Sequence, residues 1–332
     1  TWDFDDGTTL SGFYPKPQHQ YSIFKEYNVN LRVRTLDNCE RDTTKRVFIL
    51  DYKAPDNVSR YFEDFEGSTS TWVQTSLTNS SWLFGQPAGN LINTASSGTN
   101  AWWTGKNTNA DDKSTYYNNE RSEIIGPCLN ISNLDRPMLS LDYWSDAQEG
   151  YDGAVVQYSV NGGLNWQTIG NANNEGINWY NTRDLTGSEP GGQDNFAWSG
   201  NSSQWKNARF NLDQIPVAQR DTIVFRIAFG SDATNRFDGV LNGFAFDNVF
   251  IGEKSRSVLV EHFTHTVNVN DVTTAAAYLD NLYDEQTNPS ALTYKRKPDF
   301  NKIQYHLNSP LNDPINKQVP FDAAARALHY AV

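Results

Sequence analysis

Between residues 61 and 253 no apolar pattern with helical period occurs, and that restricts what the chain can fold into. Short stretches of strand character follow one another instead: "MLSLDYWSD", "GAVVQYSVNGGLNWQTIG", "DTIVFRIAFGSD" and "GFAFDNVFIG". Polar, Gly- and Asn-rich segments separate them, and "SVNGGLNWQ" carries the Asn-Gly-Gly run that a tight hairpin needs. About 190 residues written this way predict a large antiparallel β-sandwich of two sheets. Such a sandwich needs bulky core residues, and 10 Trp, 16 Tyr and 18 Phe are available.

A smaller β region precedes it. Trp2 and Phe4 alternate with polar residues, Asp5-Asp6-Gly7 marks a turn, and "YNVNLRVRT" and "KRVFIL" read as strands. Residues 51–60, "DYKAPDNVSR", read as a polar linker. A third region opens at Ser257 with "SVLVEHFTHTVNVNDVTTAAAYLDNLYDEQ": a continuous apolar strand, a turn, then an amphipathic helix with Ala275, Leu279 and Leu282 on one stripe. "KIQYHL" is a further strand and "PFDAAARALHY" a further helix, giving the alternation of an α/β unit. The expected domains are therefore 1–54, 61–253 and 257–332, the first and last read as truncated.

Charge excludes some functions. Lys and Arg number 27 against 39 Asp and Glu, a net charge of −12, and the basic residues form no block. Nucleic acid and anionic membrane surfaces are therefore poor partners. No segment reaches the ~18 apolar residues of a membrane span. Cys39 and Cys128 fall in different predicted domains and are read as free thiols. HExxH, GxSxG and phosphate-cradling glycine motifs are all missing, so no catalytic residue is assigned and the chain is read as a non-enzyme.

Three resemblances refine these expectations. "WDFDDGTT" followed by "YSIFKEYNVNLRV" resembles the polycystic-kidney-disease (PKD) type of immunoglobulin-like domain, whose usual motif has Gly where Asp5 stands. "FEDFEG", "IGPCLNISNLDRPMLSLDYW", "FRIAFGSD" and "GFAFDNVFI" resemble, in order, the MAM-like jelly-roll modules of exported Bacteroidota proteins. "VLVEHFTHT", "IQYHLNSPLNDP" and "DAAARALHYAV" resemble exported thioredoxin-like domains, which carry Cys-x-x-Cys directly after the turn. Here those two positions hold Asn268 and Asp271, and neither side chain supplies the thiolate of disulfide exchange. Asp271 reads as a helix N-cap, so the implied domain is redox-inactive.

Candidate sites follow. Asp64 and Glu66, read as lying on one face of the first sandwich strand, and Asp247, on the last, are candidate calcium ligands if those strands lie side by side. The alternative is a solvated acidic edge. Loop aromatics such as Trp102, Trp103, Tyr116, Tyr117, Trp179, Tyr180, Trp198 and Trp205 suit either the core or a sugar-binding face. "DTT" around Thr43 and "DTI" around Thr222 resemble Bacteroidota O-glycosylation sequons. Together the resemblances imply an extracellular, outer-membrane-associated multidomain protein carried by type IX secretion. Its expected role is adhesion, ligand binding or surface assembly through a protein or glycan partner and the other domains of its own longer chain. The alternatives are an accessory region of a secreted metallopeptidase-type hydrolase or a calcium-dependent carbohydrate-binding module.

Overall fold

A computed structural model describes residues 1–105, 115–172, 176–192, 196–234, 241–254, 258–264 and 300–306. The chain is mainly β and divides into two compact units, 1–254 and 255–332.

The first unit begins with a small antiparallel sheet of β1 (Trp2–Asp3), β2 (Thr9–Leu10), β3 (Lys25–Arg34) and β4 (Glu40–Ile49), ordered β2-β1-β3-β4. Asp5 sits in the turn after β1 at φ 62, a left-handed conformation that Asp tolerates and Gly adopts without cost. Asp5 compensates by accepting the Asn28 backbone N–H at 2.8 Å.

The chain continues through β5 (Tyr52–Lys53), β6 (Tyr61–Glu63), β7 (Val73–Thr78), β8 (Trp82–Gly85), β9 (Ala101–Thr104), β10 (Arg121–Leu129), β11 (Pro137–Asp146), β12 (Gly153–Ser159), β13 (Gln167–Thr168), β14 (Lys206–Asn211), β15 (Ile223–Gly230) and β16 (Gly243–Glu253). These build two six-stranded sheets. One is ordered β13-β12-β15-β10-β5 with β7 also on β10; the other is β14-β11-β16-β9-β8 with β6 on β16. From β10 to β12 and from β14 to β16 successive strands alternate between the sheets, so each connection crosses the sandwich. Between the sheets lies one continuous core, with Ile124, Val156 and Phe225 from the first and Leu141, Phe244 and Phe246 from the second.

Trp198 is at its centre. It stacks on Tyr143 and Phe244, meets Trp179 and Tyr180 edge-on at 5.0 and 4.8 Å, and donates its indole N–H to the Asn178 carbonyl. Most of the loop aromatics are therefore core: Trp102, Trp103, Tyr116, Trp179, Tyr180 and Trp198 are all buried, while Tyr117 and Trp205 are half-buried.

The stretch read as a linker is not all linker. Tyr52 and Lys53 pair in parallel with Cys128 and Leu129, because backbone N–H groups after the β10 bulge bond to the Asp51 and Lys53 carbonyls. Across the same junction Thr75 donates to Glu26 at 2.6 Å, while Arg46, on the strand next to Glu26 in the small sheet, lies 3.4 Å from that carboxylate.

In the second unit β17 (Val258–Thr264) and β18 (Phe300–His306) pair in parallel. The two predicted helices lie outside the described residues, as do Asn268 and Asp271.

Candidate functional site

The outward face of the β12–β15–β10 sheet carries a polar row. Gln157 stands opposite Arg226, and Glu123 is diagonal to it. Arg226 is only 5% exposed. Its Nη1 donates to Glu123 Oε1 at 2.9 Å, its Nε and Nη2 to Gln157 Oε1 at 2.8 and 2.6 Å, and its Nη2 to the Gly191 carbonyl at 3.1 Å. Burial lowers the Arg226 pKa to about 10, against the pull of Glu123, so the side chain is still a cation at neutral pH. Burial also raises Glu123, and Arg226 opposes that rise.

What buries this row is the turn Pro190–Gly192. Gly191 (φ 67) and Gly192 (φ 74) are both left-handed. A Cβ on the first would lie 2.2 Å from Gln157 Oε1, and one on the second 2.1 Å from Arg121 Nη2. Only glycine lets this backbone settle on the side chains of the sheet.

Beside the turn opens a cleft of about 630 Å³. Arg121, the first residue of β10, enters it, and Asp184, Glu189, Asn119, Thr78 and Ser231 contribute to its walls. The Arg121 Nε–H is buried and has no hydrogen-bond partner among the described residues. Its guanidinium makes no ion pair among the described residues, nor do Asp184 and Glu189. The Ser231 and Ser188 hydroxyls, in contrast, are committed to the Tyr117 and Tyr151 carbonyls. The cleft is thus lined by one cation and two carboxylates that have no ion-pair partner among the described residues.

Asp152 and Asp247, the carboxylates that burial pushes up to about 6, are elsewhere. Asp152 is buried, accepting from Tyr116 Oη at 2.6 Å and from the Asp232 backbone N–H. Asp247 is buried too, accepting from the backbone N–H groups of Ser96, Ser97 and Asn248. Both stand above the ~3.9 of an unfolded Asp, so the folded chain takes up these protons first as pH falls. Their contribution therefore makes the fold more stable toward pH 5 than at pH 7, on the order of 1 kcal/mol. Urea melts at the two pH values check this, with Asp152→Asn expected to flatten the difference. A wild-type slope that Asp152→Asn leaves unchanged contradicts it.

The predicted metal residues are placed as follows. β6 and β16, the first and last strands of the segment 61–253, do pair. Asp64 and Glu66 are not on a strand face, however: β6 ends at Glu63, and Phe65 turns left-handed at φ 57 to bury its ring. Asp64 accepts the Glu66 N–H, and Glu66 accepts the N–H groups of Thr99 and Asn100 at 2.9 Å. Glu66 and Asp247 thereby hold opposite ends of the segment 96–100. Among the described residues no group of three or more His, Cys, Asp or Glu converges. Thr43, on β4, and Thr222, just before β15, are exposed, and the free Cys39 and Cys128 are exposed and half-buried.

No family model and no curated protein matches the chain. Among solved structures it is similar to the K1 cleaved adhesin domain of Lys-gingipain from Porphyromonas gingivalis W83, at 14% identity and a TM-score of 0.31, covering 59% of this chain and 98% of that one. It is also similar to a structure described as showing the promiscuous specificity of carbohydrate-binding modules of the β-sandwich superfamily, at 12% identity, a TM-score of 0.35, and 75% and 83% coverage. A third is a xylan-binding domain from CBM 22, at 13% identity, a TM-score of 0.32, and 58% and 92% coverage.

Proposed function

We propose that this chain is the non-catalytic binding part of an exported, cell-surface multidomain protein. Its work is adhesion or surface assembly, and its ligand seat is the Arg121 cleft. One observation carries the reading: a cation sits at the cleft with a buried N–H that has no partner among the described residues. Leaving a buried donor unsatisfied costs free energy that an incoming acceptor recovers. Asp152 and Asp247, the carboxylates raised to about 6, do not line the cleft, which favours holding a ligand over transforming it. The small N-terminal sheet as a PKD-like domain, the sandwich as a MAM-like jelly roll, and 257–332 as a redox-inactive thioredoxin-like domain belong to the same proposal. So does type IX export.

Arg121→Ala tests it. With a panel of immobilised extracellular glycoproteins, the variant is expected to bind at least about tenfold more weakly than the unaltered chain. Its melting temperature should hold or rise, because Arg121 is a like charge beside Arg226. Equal binding by the two proteins, or no binding by either, contradicts the proposal.

A further inference from the structure

Trp166 lies on the same face as the cleft and is missing from the loop aromatics that the sequence singles out. We propose that it is a stacking platform for a sugar ring and that the cleft's ligand is a neutral oligosaccharide; this rests on the binding reading above and narrows it.

The ring centre of Trp166 is 4.2 Å from Arg226 Cζ. Arg226 is nearly inaccessible, and the sheet, Glu123, Gln157 and Gly191 account for its underside and flanks. Trp166 is the cover. One face of its indole is therefore filled by the guanidinium, and since the residue is only half-buried, what remains open faces outward. Four hydrogen bonds fix the guanidinium, and a cation–π contact fixes the ring upon it. The Gly162-Gly163 hairpin brings the chain in close: a Cβ on Gly163 would lie 3.4 Å from the ring. A flat apolar surface that is already ordered loses little freedom when a ligand lands on it.

The neighbouring groups indicate what lands. Arg226 bonds the Gly191 carbonyl and Gly192 abuts Arg121, so the Pro190–Gly192 turn touches the base of the platform on one side and the cleft arginine on the other. A pyranose offers an apolar face of C–H groups for the indole and a rim of hydroxyls that both donate and accept. Arg121 supplies donors, and Asp184 and Glu189 supply acceptors. With two carboxylates against one guanidinium, and a chain charge of −12, an acidic sugar is disfavoured and a neutral one fits.

The test uses the full chain on an array of neutral, sialylated and sulfated oligosaccharides. Trp166→Leu keeps an apolar cover over Arg226 but removes the flat ring; Trp166→Tyr keeps a ring. The unaltered chain is expected to retain neutral sugars, the Leu variant to bind about tenfold more weakly or worse, and the Tyr variant to stay within about threefold. Leu and Tyr variants that both match the unaltered chain overturn the platform. Retention of acidic sugars alone overturns the neutral class. Glycoprotein binding that Arg121→Ala abolishes, with no free oligosaccharide retained, overturns this inference and leaves the cleft reading intact.

Discussion

Arg226→Met is expected to lower the unfolding free energy by about 3–5 kcal/mol, because it strands Glu123 as a buried, unpaired carboxylate. Glu123 is 3% exposed and Arg226 is its one ion-pair partner within 4.0 Å among the described residues. Gln157 would lose both of the donors that its Oε1 accepts. The loss is a property of the broken pair more than of the intact one. Replacing both partners, as in Arg226→Met with Glu123→Leu, is therefore expected to restore most of it. Urea denaturation of the single and double variants measures this. A single variant within about 1 kcal/mol of the unaltered chain would mean that water reaches this row.

Gly191→Ala is the second large effect. The new methyl meets Gln157 Oε1 at 2.2 Å on a residue at φ 67, so both a clash and backbone strain follow. We expect about 2–4 kcal/mol of destabilisation, together with loss of binding, because the turn beside the cleft, which follows directly on its wall residue Glu189, must lift. Gly7→Ala, in the small N-terminal sheet, is the control. It has a left-handed φ of 87 but nothing within 4 Å, so only the strain of about 1–2 kcal/mol applies. Thermal melts and the glycoprotein assay on both variants separate clash from strain; equal behaviour contradicts the account.

The sandwich was legible because alternation and turn residues are local signals. The site was not, because its residues are assembled across the fold. Glu123, Gln157 and Arg226 occupy the polar phase of their strands and read as solvent positions, yet a turn and an indole bury them. The contacts that make them a unit span 69 and 103 residues of sequence. Asp247 was conspicuous as a carboxylate in an apolar strand, and it does hold something: backbone amides 150 and 151 residues away. Glu66 was misplaced on a strand because the pattern gave no sign that Phe65 turns left-handed to reach the core. Arg121, in "ERSEII", had no signal at all. Trp166 had one, an aromatic directly after an Asn-Gly-Gly hairpin, which the richer Trp and Tyr pairs obscured. Most of those residues fill the core.

The most direct measurement is the NMR signal of the Arg121 Nε–H during titration with glycopeptides released by protease from the best-binding glycoprotein. If the cleft seats the ligand, this resonance and the amides of Gly187, Gly191 and Gly192 shift together and saturate with one affinity. Saturable binding that leaves the Arg121 signal in place, while resonances elsewhere move, would contradict the account.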